Sequence, residues 1–297
     1  MSTAGVGTPE HIGVDRPVDR VVGVDGVPMS ARCVYVEQPR AVVVALHGGA
    51  TTSRYYDFPG LPELSLLRTG VESGYTVLAI DRPGYGASPD RDRAFDDPQR
   101  RVDATFSAVE RLLEERSWGA GLFVVGHSAG CDLAVRMAAD PRGDGLLGLE
   151  IAGTGTDKFE DALRIIEGIR ATRNRSTIRD LLWQPEELYP EEVRGGRSLT
   201  SAAPHYETAV AVQWPRDFAQ LAPQVRVPVR LSCAEHERVW RTDEEARTVI
   251  AGLFSSSPRF VDHTQPASGH NISVGFGAPD YHRSVLAFVE ECITEVT

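Results

Sequence analysis

The run Gly126-His127-Ser128-Ala129-Gly130 places a hydroxyl among small residues. It follows the apolar stretch Leu122 to Val125 and opens a helical stretch, Ala129 to Ala139, that Pro141 stops. A serine on a sharp strand-to-helix turn is arranged as a nucleophile. Its small neighbours avoid collisions, the next backbone N–H points at a developing oxyanion, and the helix N-terminus adds partial positive charge there. A glycine-rich turn with a helix-capping serine would spell the same five letters. The strand before it and the helix after it favour the nucleophile. Such a serine needs an imidazole within hydrogen-bond reach. His270 is the preferred base, in the loop Ala267-Ser268-Gly269-His270-Asn271-Ile272 between the last predicted strand and the final helix. His127 flanks the nucleophile, with its ring expected to point away from the hydroxyl. His236, His263 and His282 read as surface residues, and His205 as one that could line a pocket.

These residues need a frame. Val18 to Val24 and Val27 to Val36 read as two strands joined at Asp25-Gly26, a strong hairpin signal. Ala41 to Leu46, Tyr75 to Ile80, Leu122 to Val125, Leu146 to Ala152, Val227 to Cys233 and Arg259 to Asp262 are short apolar runs, the pattern of strands buried on both faces. Helical stretches alternate with them, at Phe95 to Arg116, Ala129 to Ala139, Asp243 to Leu253 and Asp280 to Glu295. The alternation predicts an α/β protein with a mostly parallel sheet flanked by helices.

From about Asp157 to Gln224 no strand is predicted. This segment holds helical pieces near Phe159 to Arg173 and Ser176 to Trp183, Pro-bounded turns, and the aromatics Trp183, Tyr189, Tyr206 and Trp214. It reads as a helical cap, 157–224, inserted into a core formed by 18–156 and 225–297. Residues 1–17 read as a flexible tail. The aromatics suggest either an apolar substrate pocket or packing between cap and core.

The 297 residues carry a formal net charge of −11, which disfavours nucleic acid and anionic membranes as partners. Lys158 is the single lysine, the other cationic side chains being arginine, a bias expected of a GC-rich genome. No secretory leader or apolar run long enough to span a bilayer is recognised, so a cytoplasmic location is expected. Cys33, Cys131, Cys233 and Cys292 lie in apolar stretches without CxxC spacing and read as buried free thiols. No metal site, phosphate-binding loop or dinucleotide fingerprint is recognised, so no cofactor is expected.

With the nucleophile motif in this setting, the sequence resembles the α/β-hydrolase superfamily, in its serine-nucleophile branch with a helical cap. The resemblance runs from about Val18 to the end. His47-Gly48-Gly49-Ala50 stands where the family places its second oxyanion donor. Asp81-Arg82-Pro83-Gly84-Tyr85-Gly86-Ala87-Ser88 is similar to its DxxGxGxS loop, and Gly269-His270 to the dipeptide carrying its base. The resemblance implies an oxyanion hole made by the backbone N–H groups of Gly49 and Ala129, with Ala50 as the alternative to Gly49. His47 is expected to orient its loop by hydrogen bonding. For the acid, the family's GxxD position falls on Glu237 in Ala234-Glu235-His236-Glu237, departing from the pattern at both Ala234 and Glu237. Glu235 would serve if that loop were shifted. Glu150, on Leu149-Glu150-Ile151, is the other alternative, because some capped members take their acid from that strand.

A serine nucleophile argues against haloalkane dehalogenase and epoxide hydrolase chemistry, which the family performs with aspartate. It implies an esterase or thioesterase acting through an acyl-enzyme on a small-molecule acyl substrate. The acyl group is expected to be apolar, of polyketide or lipid type, as in secondary metabolism. Acyl transfer or cyclisation by an internal nucleophile is one alternative, and a ligand-binding protein of the same fold with little turnover is another. Monomer and homodimer both remain open.

Overall fold

The computed structural model describes residues 16–88, 93–172, 179–196 and 198–296. The predicted tail therefore lies outside the described residues up to position 15, as do 173 and 176–178 of the predicted cap helices.

Eight strands form one sheet: β1 (Val18–Val24), β2 (Val27–Val34), β3 (Val42–Leu46), β4 (Thr76–Ile80), β5 (Leu122–His127), β6 (Leu146–Ala152), β7 (Val229–His236) and β8 (Phe260–Gly269). Their order across the sheet is β1-β2-β4-β3-β5-β6-β7-β8. The opening hairpin pairs antiparallel, with Val24 opposite Val27, and β2 is antiparallel to β4; the remaining neighbours are parallel. The central strand β3 is buried along its whole length, which is what its unbroken Val/Ala/Leu composition requires when helices cover both faces.

Helices α1 (Leu66–Glu72) and α8 (Ala278–Val296) pack on one face, where Leu66, Leu67, Tyr281, Val285 and Phe288 join Val43, Val77 and Phe123 in one core. Helices α2 (Pro98–Leu113) and α3 (Gly130–Ala139) cover the other face through Val102, Val109, Leu133 and Met137. Ile250 of α7 (Glu244–Leu253) joins this second core. Asp97 caps α2 by accepting the Gln99 N–H, and Asp243 caps α7 by accepting that of Ala246.

Among the described residues three α-helices lie between β6 and β7: α4 (Glu160–Thr172), α5 (Arg179–Leu182) and α6 (Tyr206–Leu221). Among the described residues this segment contains no strand. Its start pairs briefly with the chain just beyond β7. Phe159 N–H donates to Val239 O at 3.0 Å, and Arg241 N–H donates to Asp157 O at 2.8 Å. Between these bonds the Lys158 ammonium lies 3.8 Å from the centre of the Trp240 ring. Two helices depart from the sequence expectation. Helix α1 was not expected; its seven residues include Gly70, which leaves little helical periodicity to read. Helix α6 was not expected either; Pro215 lies inside it, where a proline ordinarily disfavours a helix.

All four cysteines are buried free thiols. No helix among the described residues is long and apolar enough to cross a membrane.

Candidate active site

Ser128 follows the last residue of β5 and precedes α3 by one residue. Its φ is +50°, a conformation rare for a non-glycine residue and costly unless its surroundings enforce it. They do: Ser128 N–H donates to Ala152 O of β6 at 2.8 Å, and Ser128 O accepts the Cys131 N–H at 3.0 Å. The flanking glycines are needed because the turn is tight. A methyl group on Gly130 would stand 2.3 Å from Leu46 O, and one on Gly126 would stand 2.7 Å from the Ala134 methyl.

His270 sits one residue beyond β8, and its Nε2 lies 3.0 Å from Ser128 Oγ. Its Nδ1 lies 2.9 Å from Glu237 Oε2 and 3.0 Å from Oε1. Glu237, one residue beyond β7, is buried. Burial alone would push its carboxyl up. The neighbouring His270 outweighs this, helped by the N–H groups of Val239 and Trp240, so the carboxyl is held below its ordinary value. An ionised Glu237 requires the proton on Nδ1 of His270. That leaves Nε2 free to accept from the serine hydroxyl.

Glu150 is elsewhere. It is fully buried on β6, with Oε2 3.2 Å from Arg230 Nη1 and Oε1 accepting from the Tyr281 hydroxyl at 3.0 Å. Burial raises its pKa. The structure thus gives Glu237 to His270 and commits Glu150 to Arg230 and the α8 side of the sheet. Glu235 accepts the Ala267 N–H at 2.7 Å, tying the β7 and β8 ends together.

The Tyr85 hydroxyl accepts the Ala50 N–H at 2.9 Å. That removes Ala50 as a donor, whereas the N–H groups of Gly49 and Ala129 have no acceptor among the described residues. His47 Nε2 accepts the Arg82 N–H at 3.0 Å, so its proton lies on Nδ1, which donates to Gly48 O at 2.8 Å. Burial holds His47 well below its ordinary value, with the Arg82 charge adding to the effect.

The remaining histidines divide. His127 is buried and neutral, its pKa lowered to about 3 chiefly by burial. Its Nε2–H donates to His270 O at 2.8 Å, and its ring stacks on Tyr55 with centroids 4.5 Å apart. His282 is not at the surface, as the sequence suggested, but fully buried on α8 with neither ring nitrogen partnered among the described residues. Burial lowers it to about 3 as well. The sequence misplaced it because one histidine on an amphipathic helix does not reveal which face it occupies. His236 and His205 are exposed, and His263 is half-buried.

The four aromatics of the β6–β7 segment are buried in packing. Trp183 meets Tyr189 edge to face, Tyr206 donates its hydroxyl to Pro83 O, and Trp214 stacks on Phe218 and donates to Thr154 Oγ1. The same segment buttresses both sides of the serine. Asn271, beside the base, donates its side-chain N–H to Leu182 O at 2.8 Å, and Ser201 N–H donates to Ala50 O at 2.8 Å. Sequence reasoning missed Tyr85, Arg82 and Glu207. The first two lie inside the Asp81–Ser88 loop motif, but their partners are remote in sequence.

Comparison with known proteins agrees with the fold. The model of the alpha/beta hydrolase family matches residues 43–281, and the chain belongs to that family. A Danio rerio protein, ABHD14A, is 43% identical over 74 residues, a quarter of this chain and a quarter of that protein's own length. A soluble variant of monoglyceride lipase from Saccharomyces cerevisiae superposes with a TM-score of 0.68 at 14% identity, covering 96% of this chain and 97% of the lipase. The epoxide hydrolase VrEH1 from Vigna radiata superposes with a TM-score of 0.61 at 15% identity, covering 94% of this chain and 100% of the other. At such identities the likeness is one of fold.

Proposed function

We propose that this protein is a serine hydrolase that cleaves a carboxylic ester or thioester through an acyl-enzyme on Ser128. The observation that carries the reading is the unbroken chain from Ser128 Oγ through His270 to the Glu237 carboxylate, on a turn whose backbone strain is enforced by its neighbours. The fold alone does not choose the chemistry, since relatives of the same shape include a lipase and an epoxide hydrolase.

Ser128 Oγ attacks the substrate carbonyl carbon as His270 Nε2 takes its proton. The carbonyl oxygen becomes an oxyanion held by the N–H groups of Gly49 and Ala129. Collapse of the intermediate expels the alcohol or thiol, which receives the proton from His270. Water, deprotonated by the same imidazole, then releases the acid. Glu237 holds the productive tautomer and stabilises the imidazolium in both halves. The segment 157–224 serves as a cap, its described part tied to the loops of the serine through the Asn271–Leu182 and Ser201–Ala50 bonds. A net charge of −11 favours an uncharged acyl group over an anionic one.

The test combines a fluorophosphonate probe with a panel of p-nitrophenyl esters and acyl thioesters. The wild type should be labelled on Ser128 and should turn over at least one of these substrates. Ser128→Ala should lose labelling and about 10⁴-fold or more in kcat/KM while remaining folded. A folded wild type that resists the probe overturns the reading.

A further inference from the structure

The oxyanion hole in this protein has a support that the serine, histidine and glutamate do not supply. The Arg82 side chain is only 2% exposed. Its Nη2 donates to Gly48 O at 3.1 Å, and its Nη1 donates to Ala129 O at 3.4 Å. One guanidinium thus bridges the two loops that carry the candidate oxyanion donors. The first contact has a direct geometric consequence. Gly48 O and Gly49 N–H belong to the same trans peptide unit, so they point in opposite directions from one plane. Fixing the oxygen fixes where the N–H aims, and a cation on the oxygen also polarises the N–H. The His47 Nδ1–H contact to the same oxygen at 2.8 Å adds a second clamp.

Arg82 is itself held from the β6–β7 segment. Glu207, on the first turn of α6, places Oε1 2.6 Å from Arg82 Nη2. Its other carboxylate oxygen lies 3.0 Å from where a methyl group on Gly49 would stand, so the negative charge is beside the donor peptide. Two further contacts seat the start of α6 on these loops: the Tyr206 hydroxyl bonds Pro83 O, and Ser201 N–H bonds Ala50 O. A carboxylate this close to a developing oxyanion would oppose it unless a cation stands against it. Arg82 provides that cation.

We infer that Arg82 is a positioning residue for the oxyanion hole and that Glu207 of α6 holds Arg82 in place, making the hole dependent on the seating of α6. The inference rests on the acyl-enzyme reading. It requires that losing Arg82 harms the transition state more than the ground state, and that part of the harm comes from the carboxylate left behind.

The experiment compares wild type with Arg82→Met, Glu207→Gln and the double variant on one turned-over ester. It also measures inhibition by a trifluoromethyl ketone, whose adduct with serine places an oxyanion in the hole. Arg82→Met should lower kcat about 10²-fold with KM within about threefold, and ketone affinity should fall in parallel. The double variant should recover about fivefold or more over Arg82→Met, because the unpaired carboxylate is gone. A support of general structure would instead lower melting temperature without splitting kcat from KM. Should Arg82→Met fail to fold, Arg82→Lys and Glu207→Gln carry the test, each with an expected parallel loss of about fivefold or more in kcat and ketone affinity. Folded variants that keep both quantities within about twofold of wild type overturn the inference. If the wild type itself resists the fluorophosphonate probe, the serine reading fails and this inference falls with it. A labelled wild type with indifferent variants overturns this inference alone.

Discussion

Two glutamates, equally removed from water, behave in opposite ways. Glu150 lies in the middle of β6 and Glu237 just beyond the end of β7, and both are fully enclosed. Glu150 faces Arg230 and the Tyr281 hydroxyl, yet its pKa is raised, because burial outweighs them. Glu237 faces an imidazole and accepts the Val239 N–H at 2.8 Å, and its pKa is lowered. Burial is common to both. What differs is position: a residue past a strand end can collect free backbone N–H groups, whereas one inside a strand finds them committed to the sheet. The first is placed to hold the proposed base, His270, and the second to hold the sheet to α8.

Substituting the two residues should separate these roles. Glu237→Gln should lower kcat/KM by about 10³- to 10⁴-fold with the fold intact, since the amide neither enforces the reactive tautomer nor stabilises the imidazolium. Steady-state kinetics alongside circular dichroism checks this; near-normal turnover would sink the assignment of the acid. Glu150→Gln should do the reverse. Activity per folded molecule should stay close to wild type, while stability falls by about 1 kcal/mol at low pH through the weakened Tyr281 and Arg230 contacts, and by less as pH rises. Urea denaturation with the same ester assay distinguishes the outcomes.

His282 sharpens the comparison, being a buried titratable group without a partner. Its folded pKa of about 3 lies below the unfolded value, so the unfolded chain binds the extra proton between them. Stability should therefore be lost as pH falls from about 6.5 toward 3, with His282 contributing up to about 1.4 kcal/mol per pH unit. His282→Leu should flatten that slope in pH-dependent denaturation. An unchanged slope would show that the ring is not enclosed in solution.

The smallest effect is a difference of sign. Glu237, lowered, contributes stability that is full above its unfolded pKa and lost as pH falls through the folded one. Glu150, raised, contributes stability that is full below its unfolded pKa and lost as pH rises through the folded one. Below about pH 4, Glu237→Gln should thus make stability rise less with pH, and above about pH 4, Glu150→Gln should make it rise more. Denaturation at several pH values reads both slopes.

Much of the frame could be read from the chain because buried parallel strands write themselves as short apolar runs. Leu146 to Ala152 was read with its ends in place, and β3 and β4 to within a residue at one end. β8 was read short because its second half, ending in Gln265-Pro266-Ala267-Ser268-Gly269, is mostly polar and carries a proline. Ser128 and His270 were legible because their local sequences are constrained by tight turns. The acid was less legible: the resemblance favoured Glu237, but Glu235 sits two residues away at the end of the same strand, and nothing in the sequence shows that Glu150, inside β6, faces Arg230. Arg82 and Glu207 were less legible still. Their contact joins residues far apart in sequence, one in a loop after β4 and one at the start of a helix that Pro215 disguised.

The short pairing between the start of the β6–β7 segment and the chain just beyond β7 bears on how this fold can be re-engineered. Because the segment departs from and returns to neighbouring strands, it is in principle exchangeable, like a cassette, without disturbing strand register. Yet the chain just beyond β7, at Val239 to Arg241, is clasped to Asp157 and Phe159 on one side, and on the other it supplies the Val239 and Trp240 N–H groups that Glu237 accepts. A graft that keeps the sheet but cuts inside this clasp would detune the acid from a distance. The transplantable boundary thus lies inward of Phe159 and before β7, leaving residues 157–159 and 239–241 with the host.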